Sequence, residues 1–168
     1  MSVTFSRLPE APFEDVYRLI NEPRNARHMP LFSPFTREEA KDWIAGKDRQ
    51  WVDYGYGPWA FYIDGEFAGW GGFQREDDGA DFGLVLLPEF WGRGLEIGRV
   101  ALSRGFTDFD FDEVYALLPL TRNSDRAMAR LGFEPLGVID YDEIPFRQYR
   151  LSRDRWELRG GGEGPTAD

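Results

Sequence analysis

The stretch PEFWGRGLEIG, Pro88 to Gly98, follows the apolar run DFGLVLL and precedes a helical pattern. A strand, a glycine-containing turn and a helix start make an anion site, because free backbone N–H groups and the positive end of the helix dipole converge on one point. Gly92 and Gly94 lack the β-carbons that would hold a phosphate off the backbone, and Arg93 can add a charge-assisted contact. The stretch also reads as a glycine-relieved tight turn with a solvated arginine, since glycine patterns this short are common. It is not a P-loop, because the closing Lys followed by Ser or Thr is missing, and a dinucleotide fingerprint fits poorly because this strand follows a hairpin.

Other residues could handle protons. Asp81 opens the strand before the turn, and alone it reads as a solvated hairpin carboxylate. Ser124 precedes a short helix that it could simply cap. Tyr141 and Tyr149 are hydroxyl donors in reserve that also suit core packing, and His28 stands alone in an early loop. Trp43, Trp59 and Trp70 read as core or pocket wall.

The elements that must position these groups follow from periodicity. VTFSRL opens as a strand, and Phe13, Val16, Tyr17 and Ile20 recur at helical spacing behind Pro12. NEPRNARHMPLFSPF reads as a proline-broken loop, after which Thr36 and Glu39 form a capping box for a second helix that ends near Gly46. WAFYI, the Asp64-Gly65 turn and EFAGWGGFQ are a hairpin, and REDDGAD turns the chain into FGLVLL, a third antiparallel strand. A helix from Gly94, the strand VYALLP, a short helix from Asn123 to Leu131 and two closing strands complete a mixed α/β sheet.

DFGLVLLPEFWGRGLEIGRVAL, taken with LPLTRNSDRAMARLGFEPLG, resembles the GNAT superfamily of acyl-CoA-dependent N-acyltransferases. Within it the chain is similar to the branch of ribosomal-protein N-terminal (alanine) acetyltransferases, including the early MPLFSPFTREEAKDWI that forms acceptor-side helices there. The resemblance implies a mostly antiparallel sheet splayed around acetyl-CoA, with flanking helices. It also implies that Leu86, Leu87, Trp91, Gly92, Arg93, Gly94, Leu95 and Glu96 bind the cofactor, with Thr121, Asn123 and Ser124 opposite them. Backbone near Leu86 would polarise the acetyl carbonyl, Asp81 would bind or deprotonate the amine, and Ser124 would serve the departing thiolate. Glu96 stands where Gly or Ala is usual and Met128 where many members carry a tyrosine, and these two departures are joined by Thr121, which stands where Asn is usual with Asn123 close by. Glu96 could stabilise the first helical turn or repel the pyrophosphate.

The implied activity is transfer of acetyl from acetyl-CoA to a primary amine, on a small molecule or a protein N-terminus. A non-catalytic acyl-CoA binder or sensor is the alternative, supported by the two departures. The net charge of -10 disfavours nucleic acid and anionic membrane as partners, and the absence of Cys with a single His excludes thiolate metal sites. The expectation is a cytoplasmic monomer or homodimer with one domain over residues 1–156 and a disordered tail over 157–168.

Overall fold

A computed structural model describes residues 2–29 and 32–160. Strand β1 (Val3–Arg7) leads through a single 3-10 turn into α1 (Phe13–Ile20), α2 (Pro23–Ala26), α3 (Arg37–Asp48) and α4 (Gln50–Tyr54). The capping box of α3 forms as expected: Glu39 N donates to Thr36 Oγ1 at 3.1 Å, and Thr36 N donates to Glu39 Oε1 at 3.0 Å. The expected proline-broken loop contains α2, because Pro23 presets the first helical φ and the Glu22 carboxylate accepts from Arg24 N at 3.1 Å. Gly46 does not stop α3, since an interior glycine costs only about 1 kcal/mol. The helical stretch ends instead at Gly55, whose φ of 78° is the left-handed geometry that a helix C-cap needs.

Asp64 and Gly65, with φ of 51° and 84°, turn β2 (Pro58–Ile63) back onto β3 (Glu66–Glu76). Strand β4 (Gly79–Leu86) follows, then a 3-10 turn over Pro88–Arg93 and α5 (Gly94–Asp108). The chain continues through β5 (Glu113–Pro119), α6 (Asp125–Leu131), β6 (Glu134–Tyr141), β7 (Ile144–Ser152) and α7 (Arg153–Leu158). Helix α7 passes the expected boundary at Trp156; of the expected tail, residues 161–168 lie outside the described residues. Among the described residues no helix is long and apolar enough to cross a membrane.

The strands form one mixed sheet in the order β1-β2-β3-β4-β5-β7-β6. Its two faces are covered by different helices. Phe73 and Phe82 pack on one face with Ile97, Leu102 and Phe106 of α5, while Ala60 and Trp70 pack on the other with Val16, Leu19, Ala40 and Ile44 of α1 and α3. Strands β3 and β4 pair from Gly69↔Leu86 to Glu76↔Gly79. Strands β4 and β5 run parallel, and among the described residues their only register pair is Asp81↔Tyr115. Beyond that rung no ladder joins the C-terminal ends of the two strands among the described residues, which leaves an unpaired seam, a gap in the backbone hydrogen bonding, between them.

Candidate functional site

The gap is edged on one side by β4. Leu87 N donates to Ala68 O at 2.8 Å, and a β-carbon on Gly69 or Gly71 would stand 2.2 Å from the carbonyl oxygen of Val85 or Gly83. Residues 83, 85 and 87 therefore spend their backbone on β3, and by alternation Leu84 and Leu86 turn N–H and C=O toward the gap. Leu86 O accepts from Asn25 Nδ2 at 3.0 Å and from Trp91 Nε1 at 3.1 Å, and Trp91 Nε1 also reaches Asn25 Oδ1 at 3.1 Å. Asn25 thus ties α2 to the strand end and the turn. Leu87 faces away from the gap, buried in the core under α1 and α3.

The turn itself leaves space. Neither Gly92 nor Gly94 has a positive φ, so backbone conformation does not require glycine at either position. A β-carbon on Gly92 would meet nothing within 4 Å, and one on Gly94 would meet only Leu86 Cδ1 at 4.0 Å. No side chain caps α5, whose N-cap residue is Arg93. Its first-turn N–H groups are left for an anion. Glu96 pairs with Arg93, Oε2 to Nη1 at 3.4 Å, so its charge is spent against a cation of the same turn, and Leu95 packs partly buried against the core.

Across the gap, Ser124 is buried at the N-cap position of α6, yet its hydroxyl makes no cap hydrogen bond. Ser124 Oγ lies 3.2 Å from Tyr149 Oη, and Tyr149 donates its hydroxyl hydrogen to Asp125. A phenol has one hydrogen to give, so Ser124 is the donor to Tyr149 and keeps its lone pairs as acceptors. Burial first, and then the bond to Asp125, raise the Tyr149 pKa. The Nε of neighbouring Arg147 is buried without a hydrogen-bond partner among the described residues. Thr121 and Asn123 are exposed on the same loop, and Thr121 Oγ1 shares a hydrogen bond with His28 Nδ1 at 3.2 Å. The stretch from Asn25 to His28 therefore reaches from the end of β4 to the loop after β5. Burial, with Arg122 and Arg27 nearby, holds His28 below the ordinary imidazole value.

Asp81 sits at the closed end of the gap, opposite Gln74 in the β3–β4 register, and makes no hydrogen bond or ion pair among the described residues. Burial, and secondarily the charge of Glu76, raise its pKa to about 8, with Lys47 pulling the other way. Lys47 Nζ donates to Gln74 Oε1 at 2.6 Å and lies 5.6 Å from the ring centroid of Trp70 and 5.9 Å from that of Trp43. Burial lowers the Lys47 pKa against the attraction of Glu76 and Asp81. Burial likewise raises Glu76, and the Glu76 charge is the main cause that raises Tyr141. A carboxyl with a near-neutral pKa, a second carboxyl, an ammonium and a phenol thus share one face of the sheet.

Of the residues singled out from sequence, Trp91 to Leu95 and Leu86 meet at one end of the gap, Thr121 and Ser124 stand on the opposite wall, and Asp81 lies at its closed end. Asn25, Lys47, Gln74 and Glu76 were not singled out. Gln74 and Glu76 follow Trp70 at strand alternation on β3, and Lys47 follows Trp43 by one helical turn, which puts all five on one side.

The chain matches the family model described as "Acetyltransferase (GNAT) domain" over residues 3–134, and it belongs to that family. Its fold is that of solved acetyltransferases. One from Agrobacterium tumefaciens shares 18% identity with a TM-score of 0.73, covering 90% of this chain and 91% of that one. Aminoglycoside acetyltransferase AAC(6')-Ib, in complex with coenzyme A and kanamycin, shares 15% with a TM-score of 0.70, covering 94% and 98%. Spermidine N-acetyltransferase from Vibrio cholerae, in complex with CoA and spermine, shares 13% with a TM-score of 0.74, covering 92% and 98%.

Proposed function

We propose that the protein acetylates a small-molecule amine from acetyl-CoA by direct attack, with Asp81 as the base. The observation that carries this reading is a carboxyl with a pKa raised to about 8 at the closed end of a gap whose open end is an uncapped helix start. A base poised near neutral pH suits removal of a proton from an ammonium. The open glycines at 92 and 94 fit a pyrophosphate, because glycine there is required by neither φ nor packing. Backbone from Trp91 to Glu96 would hold the pyrophosphate, and Leu84, Leu86, Thr121, Asn123 and Ser124 would line the arm.

When bound, acetyl-CoA supplies a thioester carbon to which the amine nitrogen bonds as the C–S bond breaks. Asp81 takes the proton that frees the nitrogen lone pair. The N–H of Leu86 donates to the carbonyl oxygen as negative charge develops on it. Ser124 turns its hydroxyl from Tyr149 to donate a hydrogen bond to the departing sulfur, and the thiolate takes its proton from solvent. Met128 has no proton to give, so Ser124 orients the sulfur and water supplies the proton that a tyrosine at that position gives elsewhere in the superfamily.

Kanamycin and spermine in the complexes of similar fold support a small amine as acceptor. Resemblance to the ribosomal-protein branch favours peptide N-termini as a second acceptor class. Purified protein with acetyl-CoA, assayed for thiol release against simple amines, aminoglycosides and an alanine-ended peptide, tests both. Amine-dependent release supports the enzyme, whereas binding of acetyl-CoA without release by any amine supports the non-catalytic binder.

A further inference from the structure

We propose that Lys47 is a specificity-determining residue whose ammonium, held by Trp43, Trp70 and Gln74, fills the place that a second ammonium of a polyamine would take. It confines the site to acceptors with one cationic amine. This rests on the reading of Asp81 as the group that receives the acceptor.

The surroundings of Lys47 Nζ are those of a recognition site for an ammonium ion. Two indole rings lie within 6 Å of the nitrogen, at 5.6 and 5.9 Å, and an amide oxygen accepts from it at 2.6 Å. The carboxyls of Glu76 and Asp81 both interact with its charge. A site with two carboxyls and an aromatic cage would suit a dication. Here the chain supplies one of the two cations itself, tethered to α3, with Trp43 one turn before it on the same face. Solvent screens a like charge beside Lys47 only in part, because the group is half-buried. Loss of the ammonium should be tolerated by the fold, since Gln50 Nε2 also donates to Gln74 Oε1, at 3.3 Å.

The test compares n-butylamine with 1,4-diaminobutane, which differ by one terminal amine. Binding is read from tryptophan fluorescence, because Trp43 and Trp70 are in the cage, and turnover from thiol release. Lys47→Met keeps an unbranched stem against the rings and removes the charge, whereas Lys47→Arg keeps the charge. The expected result is that Lys47→Met gains about tenfold or more in affinity for the diamine relative to butylamine, with Lys47→Arg like the wild type. An equal gain for both amines, or none for the diamine, overturns the proposal. Lys47→Gln serves as a second neutral variant if Lys47→Met does not unfold cooperatively, and it must show the same selective gain. A selective gain in binding with no acetylation of either amine would sink the enzymatic reading and leave the filter standing. Acetylation without the selective gain would do the reverse.

Discussion

Asp81 of β4 and Tyr115 of β5 form the register pair at which the two halves of the sheet meet, and among the described residues no further rung joins the two strands beyond it. The carboxyl therefore stands at the vertex of the opening, flanked by Glu76 from β3 and Lys47 from α3, with Tyr141 of β6 facing the same group. An ionised group in that position is poorly solvated. It holds its proton to a pKa of about 8, and its stability and rate consequences follow from that sign.

Between the ordinary Asp value of 3.8 and about 8, the folded protein binds the Asp81 proton and the unfolded chain does not. Unfolding free energy must fall as pH rises across that window, and the raised pKa of Glu76 contributes with the same sign. Asp81→Asn removes the Asp81 contribution. Urea unfolding at pH 5 and pH 8 should show the variant losing less stability than the wild type between the two, and parallel losses would count against the buried carboxyl.

Gly94→Val should leave the free protein within about 1 kcal/mol of its starting stability, since the position has a helical φ of -60° and open space in front of it. The branched side chain would stand in the proposed pyrophosphate site. The melting-temperature rise that acetyl-CoA gives the wild type should then largely vanish. An undiminished rise would mean that the phosphates bind elsewhere.

Ser124→Ala and Tyr149→Phe each break the chain of hydroxyls that ends on Asp125. Each should cost roughly 1 kcal/mol in stability for the lost hydrogen bond and slow acetyl transfer by about tenfold or more. A stability loss with unchanged turnover would reduce the pair to a packing role. Since the Ser124 hydroxyl makes no cap bond, a cap-sized effect on α6 is not the source of either result.

Lys47→Met removes the cation that holds the Asp81 pKa down. The ascending limb of the pH–rate profile should move to higher pH in this variant and stay near its original position in Lys47→Arg. A limb that does not move would separate Lys47 from the ionisation of Asp81.

The order of strands and helices was legible because the hairpin turn, the capping box and the glycines after β4 are local signals, each with its own chemistry. Helices α2 and α4 were not, because a one-turn helix behind Pro23 and a continuation past Arg49 carry no periodicity of their own. The glycine turn at one end of the gap, proposed to bind the pyrophosphate, was readable for the same reason as the hairpin: its parts are consecutive in sequence. The other end is assembled from Lys47, Gln74, Glu76, Asp81 and Tyr141, which come from four separate elements, and only the register of β3 with β4 and the packing of α3 bring them together. Asp81 was singled out through resemblance; its isolation from hydrogen-bonding partners among the described residues, on which its proposed role rests, is a property of the fold.

The most direct test is the pH dependence of amine-stimulated thiol release from acetyl-CoA, run in parallel on wild type and Asp81→Asn. The expected result is a kcat/KM that rises with pH to a plateau above about 8 in the wild type. Asp81→Asn should lose about 10²- to 10⁴-fold in activity while keeping its acetyl-CoA-induced thermal shift. Wild-type activity in Asp81→Asn, or a wild-type profile flat from pH 6 to 9, would contradict the assignment of Asp81 as the base.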